Sequence, residues 1–151
     1  MIEQVEMDIL ICTVEGQQIG LALNKVHSVV LAVETMPLPN APHHFLGAIN
    51  VHGEITCVID MRKLLGLKAK ELDINDQFIL CNIHQKQVAL WVDCVKNIKQ
   101  VKTDEFIPAE QVLPDIKALQ YVLKENDQMI LVYDLEKLIP SNSLTFPGNQ
   151  L

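Results

Sequence analysis

Arginine is nearly missing from this sequence. Arg62 is the only one in 151 residues, and 12 basic residues face 19 acidic ones for a net charge of −7. Phosphate recognition relies on arginine forks and clustered positive charge, so nucleic acid and anionic membrane surfaces are excluded as partner classes. No apolar run approaches the roughly 18 residues that span a bilayer, so direct membrane insertion is not expected. The N-terminus, Met1 to Asp8, is acidic where a signal peptide is basic, which places the protein in the cytoplasm. Six glycines are scattered without a phosphate-cradling loop, and no serine sits in a Gly-x-Ser-x-Gly elbow. Four cysteines (Cys12, Cys57, Cys81, Cys94) show no Cys-x-x-Cys spacing, and each lies in an apolar stretch. They read as small core residues in a reducing compartment. Aromatics are only 5%, so Ile, Leu and Val must build the core, and that composition favours strands. Hydrophobic residues at 49% and charged residues at 21% describe a globular chain, long enough to bury about 70% of its unfolded surface.

What the sequence does contain is a repeat. At an offset of 69, Ile9–Val30 lies on Phe78–Lys99 without a gap, matching Cys12 with Cys81, Gln18 with Gln87, Leu21 with Leu90 and Val26 with Val95. Each copy has two apolar arms around a short polar tip, Glu15–Gln18 or His84–Gln87, the pattern of a β-hairpin with one half-buried face. At an offset of 74, Ile55–Leu65 lies on Met129–Ile139, so that Val58, Asp60, Lys63 and Leu64 recur as Val132, Asp134, Lys137 and Leu138. Both segments end a strand at an aspartate placed to cap a short helix, which Gly66 or Pro140 then stops. Two matches in the same order point to duplication.

Each copy thus reads as hairpin, strand, linker, strand and short helix. Such short strands curl into a small barrel that hides its edges. The expectation is a mostly β protein of two pseudo-symmetric five-stranded barrels with short helices, packed on an apolar seam. It covers residues 8–140 as one unit of two intertwined halves, 8–70 and 76–140, with 141–151 as a flexible tail. In the first linker, Asn40 is placed to cap a helical turn with Pro42 inside it and Gly47 as its stop. Ala48–Glu54 then reads as an Asn/Gly turn into a strand from Ile55.

Chemistry finds little footing. Asp60 and Asp134 are explained by capping, and lone carboxylates make poor acid/base groups. His27 reads as a strand surface residue and His84 as a solvated turn residue. Adjacent His43 and His44 point in different directions, unlike metal ligands at alternate strand positions. A metal-dependent enzyme built from His43, His52 and a cysteine is the remote alternative; neither a cofactor nor an enzymatic reaction is expected.

The order of elements and three stretches resemble the CheW-like adaptor family of bacterial chemosensory systems. These are Leu38-Pro39-Asn40-Ala41-Pro42, Phe45–Ile55 with its Gly47-Ala48-Ile49-Asn50-Val51-His52-Gly53 core, and Val58–Gly66. The Val88–Val95 segment resembles the family's second hairpin. The resemblance implies SH3-like barrels and a noncatalytic adaptor that couples a CheA-type histidine kinase to the cytoplasmic tips of methyl-accepting chemoreceptors. It places partner contacts at Val26, Ser28, Gly47, Asn50, Val51, His52 and Gly53. Four positions depart from the family pattern: His52 replaces an arginine, Cys57 a proline, Ser28 an acidic residue, and Ile116–Gln120 a glycine-rich turn. His52 puts an imidazole where the family carries a permanently charged guanidinium. A CheW-like scaffold in a pilus or surface-sensing pathway is the alternative these departures admit.

Overall fold

The computed structural model describes residues 6–144. The first copy supplies β1 (Glu6–Val14), β2 (Gln17–Ala22), β3 (Val26–Leu31), β4 (Phe45–Val51), β5 (Glu54–Asp60) and helix α1 (Met61–Leu64). The second supplies β6 (Gln77–Ile83), β7 (Lys86–Val92), β8 (Cys94–Lys102), β9 (Ile107–Pro108), β10 (Leu119–Glu125), β11 (Gln128–Tyr133) and α2 (Leu135–Leu138).

Tight turns set the hairpins. Glu15 and Gly16, His52 and Gly53, and His84 and Gln85 all have positive φ, as the two central residues of type I′ turns require. Asp60 accepts from the amides of Arg62 at 2.9 Å and Lys63 at 3.4 Å; Asp134 accepts from those of Glu136 at 3.1 Å and Lys137 at 3.3 Å. Both aspartates are therefore N-caps, and Gly66 follows α1 with φ +69°.

The copies exchange strands. One sheet runs β8-β1-β2-β11-β10-β9 and the other β3-β6-β7-β5-β4, so each takes its hairpin from one copy and its remaining strands from the other. The repeat holds to the register. Leu131 pairs with Ile19 as Cys57 pairs with Val88, both in parallel. Ile11 opposes Asn97 as Leu80 opposes Ser28, and the bulges at Lys96 and His27 fall at equivalent places. Even the two-residue β9, whose Ile107 meets Val122, has a counterpart in the Met36–Ala48 bridge. This two-sheet, mostly β architecture is that of SH3-like barrels.

Three apolar clusters fill it. Ile9, Ile11, Val101, Leu123, Ile130 and Val132 pack inside the first sheet, and Phe78, Leu80, Ala89, Trp91, Val58 and Ile49 inside the second. Between them lies a seam that includes Leu10, Cys12, Ile19, Leu21, Ile79, Cys81, Leu90 and Val92. Successive residues of β1, β6 and β7 thus feed a barrel interior and the seam in turn. The sequence pattern suggested one half-buried face, but these hairpins are buried on both, which accounts for their continuous apolar runs.

Two cysteines differ from the core reading: Cys12 and Cys81 are buried in the seam, but Cys57 is half-buried and Cys94 is exposed. Burial pushes the Cys12 and Cys81 thiols up to about 12, so both stay protonated and inert. The expected helical turn at Asn40–Gly47 is also absent. Asn40 has φ +61° in a turn that the Ala41 amide closes on the Leu38 carbonyl at 3.4 Å, and pairing with β5 carries Phe45 onward into β4. Of the expected tail, Ser141–Leu144 form a 3-10 turn with Leu144 buried, and 145–151 lie outside the described residues.

Candidate docking surfaces

All seven residues expected to meet a partner fall on the edge strands of the second sheet or in the turn beside one of them. Val26 and Ser28 lie on edge strand β3; Gly47, Asn50 and Val51 lie on the opposite edge strand β4, with His52 and Gly53 in the turn that follows. Ser28, Asn50, His52 and Gly53 are exposed, and Val26 and Val51 are half-buried. The Asn50 side-chain oxygen accepts from the Gly53 amide at 2.7 Å, which fixes the turn and leaves His52 pointing outward at its tip.

Gly47 is different, because it is buried. A Cβ there would stand 2.5 Å from the Met36 carbonyl oxygen and 2.7 Å from the Thr35 hydroxyl. The missing side chain lets the Met36–Ala48 bridge close over the β4 edge, with both amide bonds at 2.8 Å. Gly47→Ala should therefore cost about 2 kcal/mol of stability from overpacking, read by denaturant unfolding. A loss of partner binding with unchanged stability would instead make Gly47 a contact residue.

The edges also expose apolar side chains that the sequence reading passed over. Val30 and Leu31 are exposed on β3 and Val33 just after it, with Ile74 exposed in the connection before β6. Their signal was present as an unbroken apolar run, Val29-Val30-Leu31-Ala32-Val33, in a strand with only one neighbour.

Polar clasps hold this surface to the other barrel. The buried Arg62 guanidinium donates to the Asp93 carboxylate at 2.6 Å and to the Lys68 carbonyl at 2.9 Å. Asp93 also accepts from the Glu15 amide, and Glu15 accepts from the Lys68 amide, both at 2.9 Å. At the equivalent place in the other copy, Glu136 accepts from Lys25. There His84 is not a solvated turn residue: its Nε2 lies 2.8 Å from the Glu136 carbonyl and 2.7 Å from that of Ile139. Two carbonyl acceptors require that nitrogen to carry the proton, so His84 ties a hairpin tip to the end of α2.

His44 is buried at the start of β4, where burial, aided by neighbouring His43, holds its imidazole below the ordinary histidine range. His27, His43 and His52 are all exposed. Among the described residues, no three His, Cys, Asp or Glu side chains stand together as a metal site. Nor is any helix among them long and apolar enough to cross a membrane.

Comparison with known proteins agrees with this architecture. Residues 8–143 match the model of the CheW-like domain. The chain is 30% identical over 107 residues to the chemotaxis protein CheW of Rhizobium meliloti, covering 70% of this chain and 69% of the relative. It is 25% identical over 150 residues to that of Klebsiella aerogenes, covering 97% and 90%. In three dimensions it superimposes on the scaffolding protein TtCheW from Thermoanaerobacter tengcongensis with a TM-score of 0.82 and 26% identity, covering 92% of this chain and 96% of that one. With strand exchange, paired caps and the Gly47–Gly53 segment all in place, the chain belongs to the CheW-like domain family of chemotaxis scaffolding adaptors.

Proposed function

We propose that this protein is a noncatalytic cytoplasmic adaptor that couples the tips of methyl-accepting chemoreceptors to a CheA-type histidine kinase. The observation that carries this reading is the family match over nearly the whole chain, joined to the structural likeness to a scaffolding protein. The surfaces suit the work. The β3 edge, which pairs only with β6, offers exposed Val30, Leu31 and the following Val33 to another folded module, and desolvating such side chains supplies affinity. The net charge of −7 favours partners with basic surfaces. Val26, Ser28, Asn50, Val51, His52 and Gly53 form the contact set, and Gly47 shapes the edge beneath them.

Reconstitution tests the reading. Receptor cytoplasmic fragments and the kinase should co-sediment, and the receptor should control kinase autophosphorylation, only when this chain is added. Kinase and receptor that ignore the chain would overturn the assignment. His52→Asp should raise the dissociation constant of the complex about tenfold, or roughly 1.4 kcal/mol, with Tm unchanged. Unaltered binding would remove His52 from the interface.

A further inference from the structure

The repeat leaves two equivalent clefts, one at each parallel strand pair, and a leucine from beyond a helix lines only one of them. The first, at the joint of β2 and β11, is lined by Gly16, Gln17, Gln18, Gln128, Met129 and Leu131. The second, at the joint of β7 and β5, is lined by Gln85, Lys86, Gln87, Glu54, Ile55 and Cys57, together with Val88 and Leu144. Shifting by 69 and 74 positions carries the first set onto the first six residues of the second, one for one. The clefts are therefore the same feature of the fold, met twice.

They differ in what fills them. In the second, the 3-10 turn Ser141–Leu144 beyond α2 brings Leu144 against the cleft, where it is only 3% exposed. The segment beyond α1 turns away after Lys68, because Lys70 binds the Asp76 carboxylate at 2.7 Å and lies over the Trp91 ring. The first cleft is left open. Its volume is about 370 Å³, against about 200 Å³ beside Leu144. Met129 at its mouth and Ile55 at the other are both exposed, at 54% and 60%, and Gln18 and Gln128 bond to each other among the lining residues of the first. The first cleft joins apolar Met129 and Leu131 to a glutamine rim, and its twin is narrowed by a leucine on a short helical turn.

We infer that the β2–β11 cleft docks a leucine-type side chain carried on a short helical turn of a partner protein. Leu144 in the twin cleft is the template for that occupant. Asp127, exposed beside Gln128 in the β10–β11 turn, adds negative charge to a chain already at −7, so the partner's turn carries basic flanks. The cleft lies away from the β3 and β4 edges of the second sheet, so the inference does not rest on the coupling role.

The test uses the full chain with methyl-labelled Met and Leu side chains. The probe is a synthetic peptide of its own Leu135–Leu144 sequence with a lysine added at each end. Titration should produce saturable NMR shifts at the Met129 and Leu131 methyls. Met129→Lys, at an exposed position, should leave Tm unchanged and weaken binding at least tenfold, and a peptide with aspartate in place of Leu144 should not bind. Absent shifts, shifts confined to Leu144 in the twin cleft, or binding that Met129→Lys does not weaken would each overturn the inference. Self-association of the chain abolished by Met129→Lys would also overturn it, by making a second copy the occupant.

Discussion

Arg62→Ala should lower the free energy of unfolding by about 3–5 kcal/mol, the cost of breaking a buried ion pair from one side. For a chain of this length that corresponds to a drop in Tm of roughly 10 °C. The size follows from what is orphaned. Arg62 is buried at 8% exposure, and its guanidinium joins α1 to the β7–β8 joint through Asp93 and to the connection after α1 through the Lys68 carbonyl. Without it, Asp93 keeps its acceptor bond from Glu15 but loses its counter-charge, and the Lys68 carbonyl loses its donor. Lysine cannot reproduce the two-pronged contact, so Arg62→Lys should recover less than half of the loss. Urea unfolding of Arg62→Ala, Asp93→Asn and the double variant should show strong non-additivity, as groups in one network do. A loss below about 1 kcal/mol would show that the clasp is not stabilising.

The second large effect is expected at Asp76. This buried carboxylate accepts from both the Lys70 ammonium (2.7 Å to each oxygen) and the indole N–H of Trp91 (2.9 Å), and from the Asp73 amide at 2.9 Å. Its own carbonyl also accepts from the Ala32 amide at 2.9 Å, so the residue fastens the connection between the copies to the end of β3. Burial alone pushes this carboxyl up. The bonds from Lys70, Asp73 and Trp91, with the charge of Lys70, outweigh it and hold the group below the usual carboxylate range. Asp76→Ala strands the buried Trp91 N–H and should cost about 3 kcal/mol. The sign of the pH effect follows. A depressed folded-state value contributes stability above the unfolded value near 3.9, and that stability is lost as pH falls through it toward the lower folded value. The wild-type chain should therefore lose stability below about pH 4 more steeply than Asp76→Ala. Parallel pH profiles would refute the role.

Much of this molecule was legible because much of its chemistry is local. Asp60 and Asp134 reach amides two and three residues ahead, and Glu15-Gly16 and His52-Gly53 need only their own dihedral preferences to turn. The missing part lies between distant segments. The 69- and 74-residue offsets identified two copies, but periodicity does not say whose strand a hairpin will pair with. The intertwining of the halves was expected from the sequence, but which strands each hairpin joins was not. The counterparts β4 and β10 share bulges after Phe45 and Leu119, yet little residue identity, since each packs against a different interior. His84 looked solvated because its acceptors, the Glu136 and Ile139 carbonyls, lie more than fifty positions away. Arg62 drew notice only as the lone arginine, for the same reason: Asp93 reaches it through the fold. Gly47 has the sequence of a turn glycine but serves a close backbone approach, which depends on where Met36 comes to rest.

Strand exchange also has a meaning for how such a molecule can arise. A single copy of the module cannot complete either sheet, but two separate copies can, each lending its hairpin to the other. The pairings of Leu131 with Ile19 and of Cys57 with Val88 are then the two halves of one isologous contact. Fusing such a swapped homodimer end to end yields this chain, and the tether frees each half to diverge. The present halves have diverged to an arginine clasp on one side and a glutamate clasp on the other, and to one cleft narrowed by Leu144 and a wider sibling.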